Sequence, residues 1–222
     1  MDTSDGSVVR RSAGVFSRNV VIALVGFLVL FGAIALDTTV VEIGSEEDQR
    51  QAAFDPDAFG KAEFPRIAEA VRARAVEAPV LAEALAEDKA AAIESYGTPG
   101  GIGAFMPVQL EGVLGESKSG IFDLVIEGVP EETRVRLQTG PAINGTELRD
   151  ITGDIVFGAF KNQIEFQDAG SGINRAMAAE VLADLDRDTL TGKTVAVVGV
   201  FNLINPKDWL ITPGSLEVEW CP

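Results

Sequence analysis

A mixed fold, mainly β with helices (α+β) and headed by an apolar N-terminal segment, is what this sequence predicts. Three observations lead there. Residues 20–36 read VVIALVGFLVLFGAIAL, 17 residues without a charge. Residues 58–97 carry apolar side chains at helical spacing. From residue 102 the apolar period falls to two, and only one later stretch returns to a helical period.

The N-terminal run is long enough to span hydrocarbon, which takes roughly 17–25 apolar residues. Arg10, Arg11 and Arg18 precede it and Asp37, Glu42, Glu46, Glu47 and Asp48 follow. That asymmetry predicts residues 1–19 in the cytoplasm, a transmembrane anchor or signal segment at 20–36, and everything after it outside. A buried core helix is the alternative, but such a helix normally keeps a polar stripe. Ala33-Ile34-Ala35 also fits a signal-peptidase site, with cleavage after Ala35. The length of the run favours an uncleaved anchor.

Residues 37–57 are a polar, acidic linker ending in Phe54-Asp55-Pro56-Asp57, a turn-and-cap sequence. Phe64, Ile67, Ala68, Val71 and Ala75 then line one face of a helix over 58–78, with Pro65 expected near its start. Pro79 opens a second, alanine-rich helix that stops at Gly97. Residues 58–97 are thus expected to form a helical hairpin. Thr98-Pro99-Gly100-Gly101 breaks the pattern.

In the domain at 102–222, Val108, Leu110 and Leu114 alternate with Gln109, Glu111 and Val113. Phe122, Leu124 and Ile126 alternate with Asp123, Val125 and Glu127, and then Val135 and Leu137 with Arg134, Arg136 and Gln138, with glycine-containing turns between. Short strands are expected at 155–157 and 164–166. A helix capped at Ser171 or Gly172 follows, with Ile173, Ala176, Met177, Val181, Leu182 and Leu185 on one face. Residues 194–201 read as a central strand, and Leu216, Val218 and Trp220 as the last one. Three strands, a helix and two strands is the order of an OB-fold barrel; another small barrel or a half-open sandwich is the rival.

Composition closes several function classes. Acids number 34 against 18 bases, a formal charge of −16, and beyond residue 36 there are 32 acids and 15 bases. Such a field repels phosphate, so no nucleic-acid partner is expected. There is no histidine, which removes Ser-His-Asp and Cys-His nucleophiles and His-based zinc sites. The single cysteine, Cys221, forms no internal disulfide or Cys-x-x-Cys site. Asp184, Asp186 and Asp188 imitate the start of a calcium loop, but Thr189 and Val195 stand where Gly and Glu are wanted. No metal and no cofactor are expected. The 12 Phe and two Trp are not expected to form a stacking platform; Trp209 and Trp220 are assigned to barrel packing.

Several stretches, in order, resemble an uncharacterised bacterial family, domain of unknown function 2291, described as predicted periplasmic lipoproteins. They are Thr39-Val40-Val41, G-P-x-I-x-G-T-x-L-R-D at 140–150, N-Q-I-E-F at 162–166, L-x-G-K-T-V at 190–195, and I-T-P with L-E-V-E at 211–219. The resemblance implies a sugar ABC-uptake context, because the family's genes often lie beside those of sugar ABC transporters. One departure stands out. Where a lipoprotein carries its lipidated cysteine, this chain has Ala35-Leu36-Asp37, which leaves a transmembrane anchor as the means of attachment.

The densest polar cluster holds Asn144, Thr146, Arg149 and Asp150, with Asn162, Gln163 and Glu165 near in sequence. Amides, carboxylates and a guanidinium fork are groups that bind sugar hydroxyls, and barrel connections often flank ligand faces. The same groups also commonly brace long loops. The expectation is a non-catalytic, inner-membrane-anchored extracytoplasmic binding or accessory protein, partnered by the membrane and by a sugar or ABC-transporter components. The alternatives are a carboxylate-based envelope glycan hydrolase and a purely structural envelope protein.

Overall fold

The computed structural model describes residues 18–37 and 54–219, with side chains placed for 20–32 and 54–219. Most of the expected N-terminal tail and linker, the side chains around Ala35, and Trp220 and Cys221 lie outside the described residues. The chain divides into two units, residues 1–53 and residues 54–222. The first holds helix α1 (Arg18–Asp37), whose described side chains are those of residues 20–32. Among the described residues no helix is long and apolar enough to cross a membrane.

The second unit is built on a closed barrel. Its strands are β3 (Ala104–Lys118), β4 (Ile121–Val125), β5 (Arg134–Gln138), β6 (Thr194–Asn202) and β7 (Asp208–Val218). They run in the order β3-β4-β5-β7-β6, and β6 returns to β3 from Phe105↔Asn202 to Val113↔Thr194. Only β5 and β7 pair parallel within this ring. That is the order and sense of an OB-fold. A register shift between Leu114 and Ser117 lets the long β3 serve two walls, as bulges do at barrel corners. The β3–β4 hairpin turns through Ser119 and Gly120, both at positive φ (55° and 76°), the geometry whose twist matches its strands. A Cβ at Gly120 would lie 1.3 Å from the Gly140 carbonyl oxygen, so only glycine fits.

Two short strands, β1 (Val76–Glu77) and β2 (Thr98–Pro99), extend the sheet along the free edge of β3. Between them come α3 (Ala78–Glu87) and α4 (Lys89–Tyr96), whose Leu81, Leu85 and Ala92 pack with the barrel interior. That interior holds Met106, Phe122, Leu137, Phe201, Trp209 and Ile211. Trp209 stacks on Phe201 with centroids 4.7 Å apart, and its indole N–H donates to the Pro206 carbonyl at 2.8 Å. Barrel packing is therefore its role.

Outside the barrel, α2 (Pro56–Arg74) lies along α6 (Gln163–Val181). Phe64, Ile67 and Val71 of α2 and Ile173 and Met177 of α6 form a second core with Phe105, Leu148, Ile151 and Val200. The two helices touch backbone to backbone. A Cβ at Gly60 would sit 2.2 Å from the Gly172 carbonyl, and one at Gly172 would sit 1.9 Å from the Pro56 oxygen. Asp55 caps α2 by accepting from the Asp57 and Ala58 N–H groups at 3.0 Å, as the turn-and-cap reading expected.

Several expectations change. The helices at 58–97 belong to the same unit as the barrel, and α2 packs on α6 rather than folding back on α3. The second helix is cut at Asp88, whose Oδ1 accepts from the Ala90 and Ala91 N–H groups and restarts the chain as α4. Residues 164–166 are helix, because α6 starts at Gln163 rather than at Ser171 or Gly172: Asn162 Oδ1 accepts the Glu165 N–H at 2.9 Å. Local capping outweighs a three-residue alternation. Residues 157–159 form a 3-10 turn, and Pro65 lies in the middle of α2.

Candidate functional site

Six of the seven polar residues singled out in the sequence lie on α5 (Glu147–Asp150), the loop before it and the start of α6. The seventh, Asn162, is the cap of α6. Arg149 is 7% exposed. Its Nε and Nη2 donate to the two oxygens of Asp150 at 2.7 and 3.0 Å, and its Nη1 donates to the Phe166 carbonyl at 3.0 Å. The guanidinium carbon stands 3.7 Å from the centroid of the Phe166 ring. The structure therefore brings the two halves of the cluster together, through one buried cation.

Two of the remaining groups serve the start of α6. Asn162 caps α6, and Glu165 Oε2 accepts the Lys161 N–H at 3.0 Å, a variant of the capping box. Asn144 is exposed and is held by its backbone: its carbonyl accepts from Gln138 Nε2 and its N–H donates to Gln138 Oε1. Thr146 precedes α5 without a side-chain capping bond, and Gln163 is an exposed first-turn residue of α6.

A network that sequence reading missed sits behind this loop. Gln138 Nε2 donates to the Thr212 hydroxyl at 2.9 Å, and that hydroxyl donates to Glu147 Oε2 at 3.4 Å. Burial pushes the Glu147 carboxyl above the usual range; the bonds from its own backbone N–H and from Thr212 oppose the shift. Asn174 donates to the Gly145 carbonyl at 3.0 Å, and Arg187 donates to the Thr139 carbonyl at 2.7 Å. No short motif signals this set, because its members are spread from residue 138 to residue 212. By contrast, the exposed Asp154 carboxyl is held below its usual range by the Thr152 hydroxyl and by Arg66.

The open polar surface lies elsewhere. Two rows cross the outer wall of the barrel: Gln109, Val198 and Ser215, then Glu111, Ala196 and Glu217, each on β3, β6 and β7 in turn. The period of two aims these side chains away from the core. With Arg72 and Glu77 they line a cleft of about 430 Å³. A second cleft of about 400 Å³ shares Glu77, Leu110 and Glu111 with it and continues past Val113, Val125 and Glu127. Gln109 Nε2 donates to Glu77 Oε1 at 2.6 Å, so one wall of the trough is braced. Glu111 and Glu217 are exposed. Four carboxylates and one guanidinium make this trough acidic; it suits a ligand or partner rich in hydroxyl or cationic groups.

The phenylalanines do cluster, contrary to expectation. Phe54, Phe59 and Phe160 meet with centroids 5.5–5.6 Å apart, Phe160 meets Phe166 at 5.4 Å, and Phe166 meets Phe157 at 5.8 Å. Among the described residues no group of three or more His, Cys, Asp or Glu is placed to hold a metal ion.

Comparison with known proteins agrees with the barrel. The crystal structure of an OB-fold protein from Thermotoga maritima MSB8 matches with a TM-score of 0.60 and 20% identity, over 75% of this chain and 99% of that one. At that identity the likeness shows the fold alone. No curated protein matches the chain. A family match covers residues 23–217: the chain belongs to the domain of unknown function 2291 family, described as predicted periplasmic lipoproteins, and thus to proteins of the extracytoplasmic space.

Proposed function

We propose that this protein is a non-catalytic module, tethered to the inner membrane with its barrel outside the cytoplasm, that serves a sugar ABC uptake system by binding a sugar or a transporter component. The observation that carries this reading is the open, polar trough on the wall of β3, β6 and β7. It offers carboxylates, an amide, a hydroxyl and a guanidinium to solvent, whereas the loop around Arg149 satisfies its own groups.

The tether rests on the uncharged run at 20–36, its basic and acidic flanks, and Ala35-Leu36-Asp37 in place of a lipidated cysteine. The backbone of this stretch is helical, as α1 (Arg18–Asp37).

One observation favours the hydrolase as second reading. Glu111 and Glu217 flank Ala196 at two strand spacings, roughly 10 Å, near the 6.5–9.5 Å that inverting glycosidases keep between their carboxyls. Both are exposed, however, and a general acid is set apart by burial. Among the described residues the one carboxyl so raised is Glu147, which does not line the trough.

The test pairs two measurements. Full-length protein from detergent-solubilised membranes is used to recover partners, and its melting temperature is followed against a panel of sugars. Recovery of transporter subunits, or stabilisation by one sugar class, is expected, and the Glu111→Gln/Glu217→Gln variant is expected to lose it. Neither recovery nor stabilisation would sink the reading, and glycan hydrolysis by the parent but not the variant would replace it with the second.

A further inference from the structure

We propose that the phenylalanine cluster seats the barrel unit on the outer surface of the bilayer; this rests on the tether reading above. The exposed end of the cluster is apolar: Val156 is 54% exposed, Phe157 53% and Ile164 69%. The other end is Phe54, where the described unit begins and where the chain arrives from residues 38–53. A tether delivers to the membrane first the face to which it is attached, and this chain's tether ends inside an aromatic cluster.

Aromatic rings and aliphatic side chains favour the interfacial zone of a bilayer, where apolar bodies are buried beside polar groups. The strongly acidic character of the rest of the unit gives no attraction to anionic lipid, so this contact is apolar in origin and insensitive to salt. Seating has a geometric consequence. Phe59 and Arg72 lie on one helix, α2, thirteen positions apart, about 20 Å along its axis. The trough that Arg72 lines is therefore carried within roughly that distance of the aromatic cluster, on the unit that the cluster seats.

Full-length protein carrying Phe157→Trp, reconstituted into phosphatidylcholine vesicles with brominated acyl chains, tests the seating. Ile164→Trp is a second reporter should the first fail to fold. Val125→Trp is the control, because Val125 is 71% exposed on β4, whose strand neighbours are β3 and β5. After subtraction of the parent's signal, the indole at 157 or 164 should be quenched several-fold more than that at 125, in low and high salt alike. Equal quenching at both places, no quenching, or quenching lost in salt overturns the proposal. Flotation of the same vesicles separates the two readings: protein that floats without quenching removes the seating alone, and protein that does not float removes tether and seating together. Quenching that appears only when a transporter is co-reconstituted assigns the patch to that protein and overturns the lipid contact.

Discussion

Two regions of the barrel unit hold clustered polar side chains, the segment from Gln138 to Glu165 and the wall of β3, β6 and β7, and they use them in opposite ways. In the first, Arg149, Asp150, Asn162, Glu165 and Gln138 find partners within the segment or on the helix it precedes. In the second, Glu111, Ser215 and Glu217 stand on a wall whose backbone bonds are already made by the sheet. A loop lacks a ladder, so its side chains do the work of one. Strands need no such help, and their outward side chains stay available. Recognition in this protein is thus expected on the wall, and stability in the loop.

The largest test of that contrast is Arg149→Ala. It leaves the half-buried Asp150 carboxylate without its guanidinium donor, takes a second donor from the Phe166 carbonyl and removes the guanidinium from the Phe166 ring. Breaking a buried pair from one side costs about 3–5 kcal/mol, a melting temperature lower by on the order of 10 °C for a unit of this size. Binding measured on the protein still folded at low temperature should be unchanged. Removing Asp150 as well (Arg149→Ala/Asp150→Ala) should recover part of the loss, since no unpaired charge then remains. If Arg149→Ala abolishes binding while the melting temperature holds, the loop is the site and the contrast fails.

Next in size is Gly172→Ala. The α2–α6 contact carries the helix that Arg149 and Asn174 both hold, and the added methyl meets the Pro56 oxygen. Forcing the helices apart should cost about 1–3 kcal/mol, read as a lower midpoint in urea. Of the trough residues only Arg72 is on these two helices, twelve positions beyond Gly60 on α2, while Glu111 and Glu217 are on strands, so ligand affinity should persist below the new midpoint. A shift in affinity together with stability would mean that the helices and the wall are coupled.

The barrel was legible because β3, β4 and β5 keep a two-residue period between glycine turns and β6 is a short apolar run, whereas β7 was read only from Leu216 and begins at Asp208. The helix α6 was legible only from its middle. Its first turn carries Asn162 and Glu165, and amide and carboxylate side chains look alike whether they serve a ligand or a helix terminus. The trough was not legible at all. Glu111, Ala196 and Glu217 become neighbours only through the register of β3 on β6 and β6 on β7, which joins residues about a hundred positions apart. The same holds for the phenylalanines, where Phe54 and Phe59 meet Phe160 across α2 and α6.

A smaller effect is expected at Glu147. Its carboxyl is raised by burial, so the protonated form is favoured in the folded state. Its favourable contribution is complete below the unfolded value of about 4.3 and is lost as pH rises through the folded one. Glu147→Gln keeps an acceptor for Thr212 and removes the charge. It should raise the melting temperature at pH 7 and leave it nearly unchanged at pH 4. The same melting temperature gain at both pH values would show that packing, not charge, accounts for it.

The smallest effect on stability, and the one that separates the two regions most sharply, is expected from Glu111→Gln/Glu217→Gln. Both side chains are exposed, and surface substitutions of this kind usually stay within about 0.5 kcal/mol. Their cross-strand neighbour is Ala196, so neither carboxylate has a partner to lose in that row. Any drop in ligand or partner binding is then a direct report on the trough, free of the folding losses that complicate Arg149→Ala. For a cationic partner, reducing the acidic charge of the wall should also flatten the salt dependence of binding, because such a partner is drawn in by that charge. An unchanged affinity and salt slope would move recognition off this wall, and the other face of the barrel, around β4 and β5, would be examined next by the same substitutions of exposed charge.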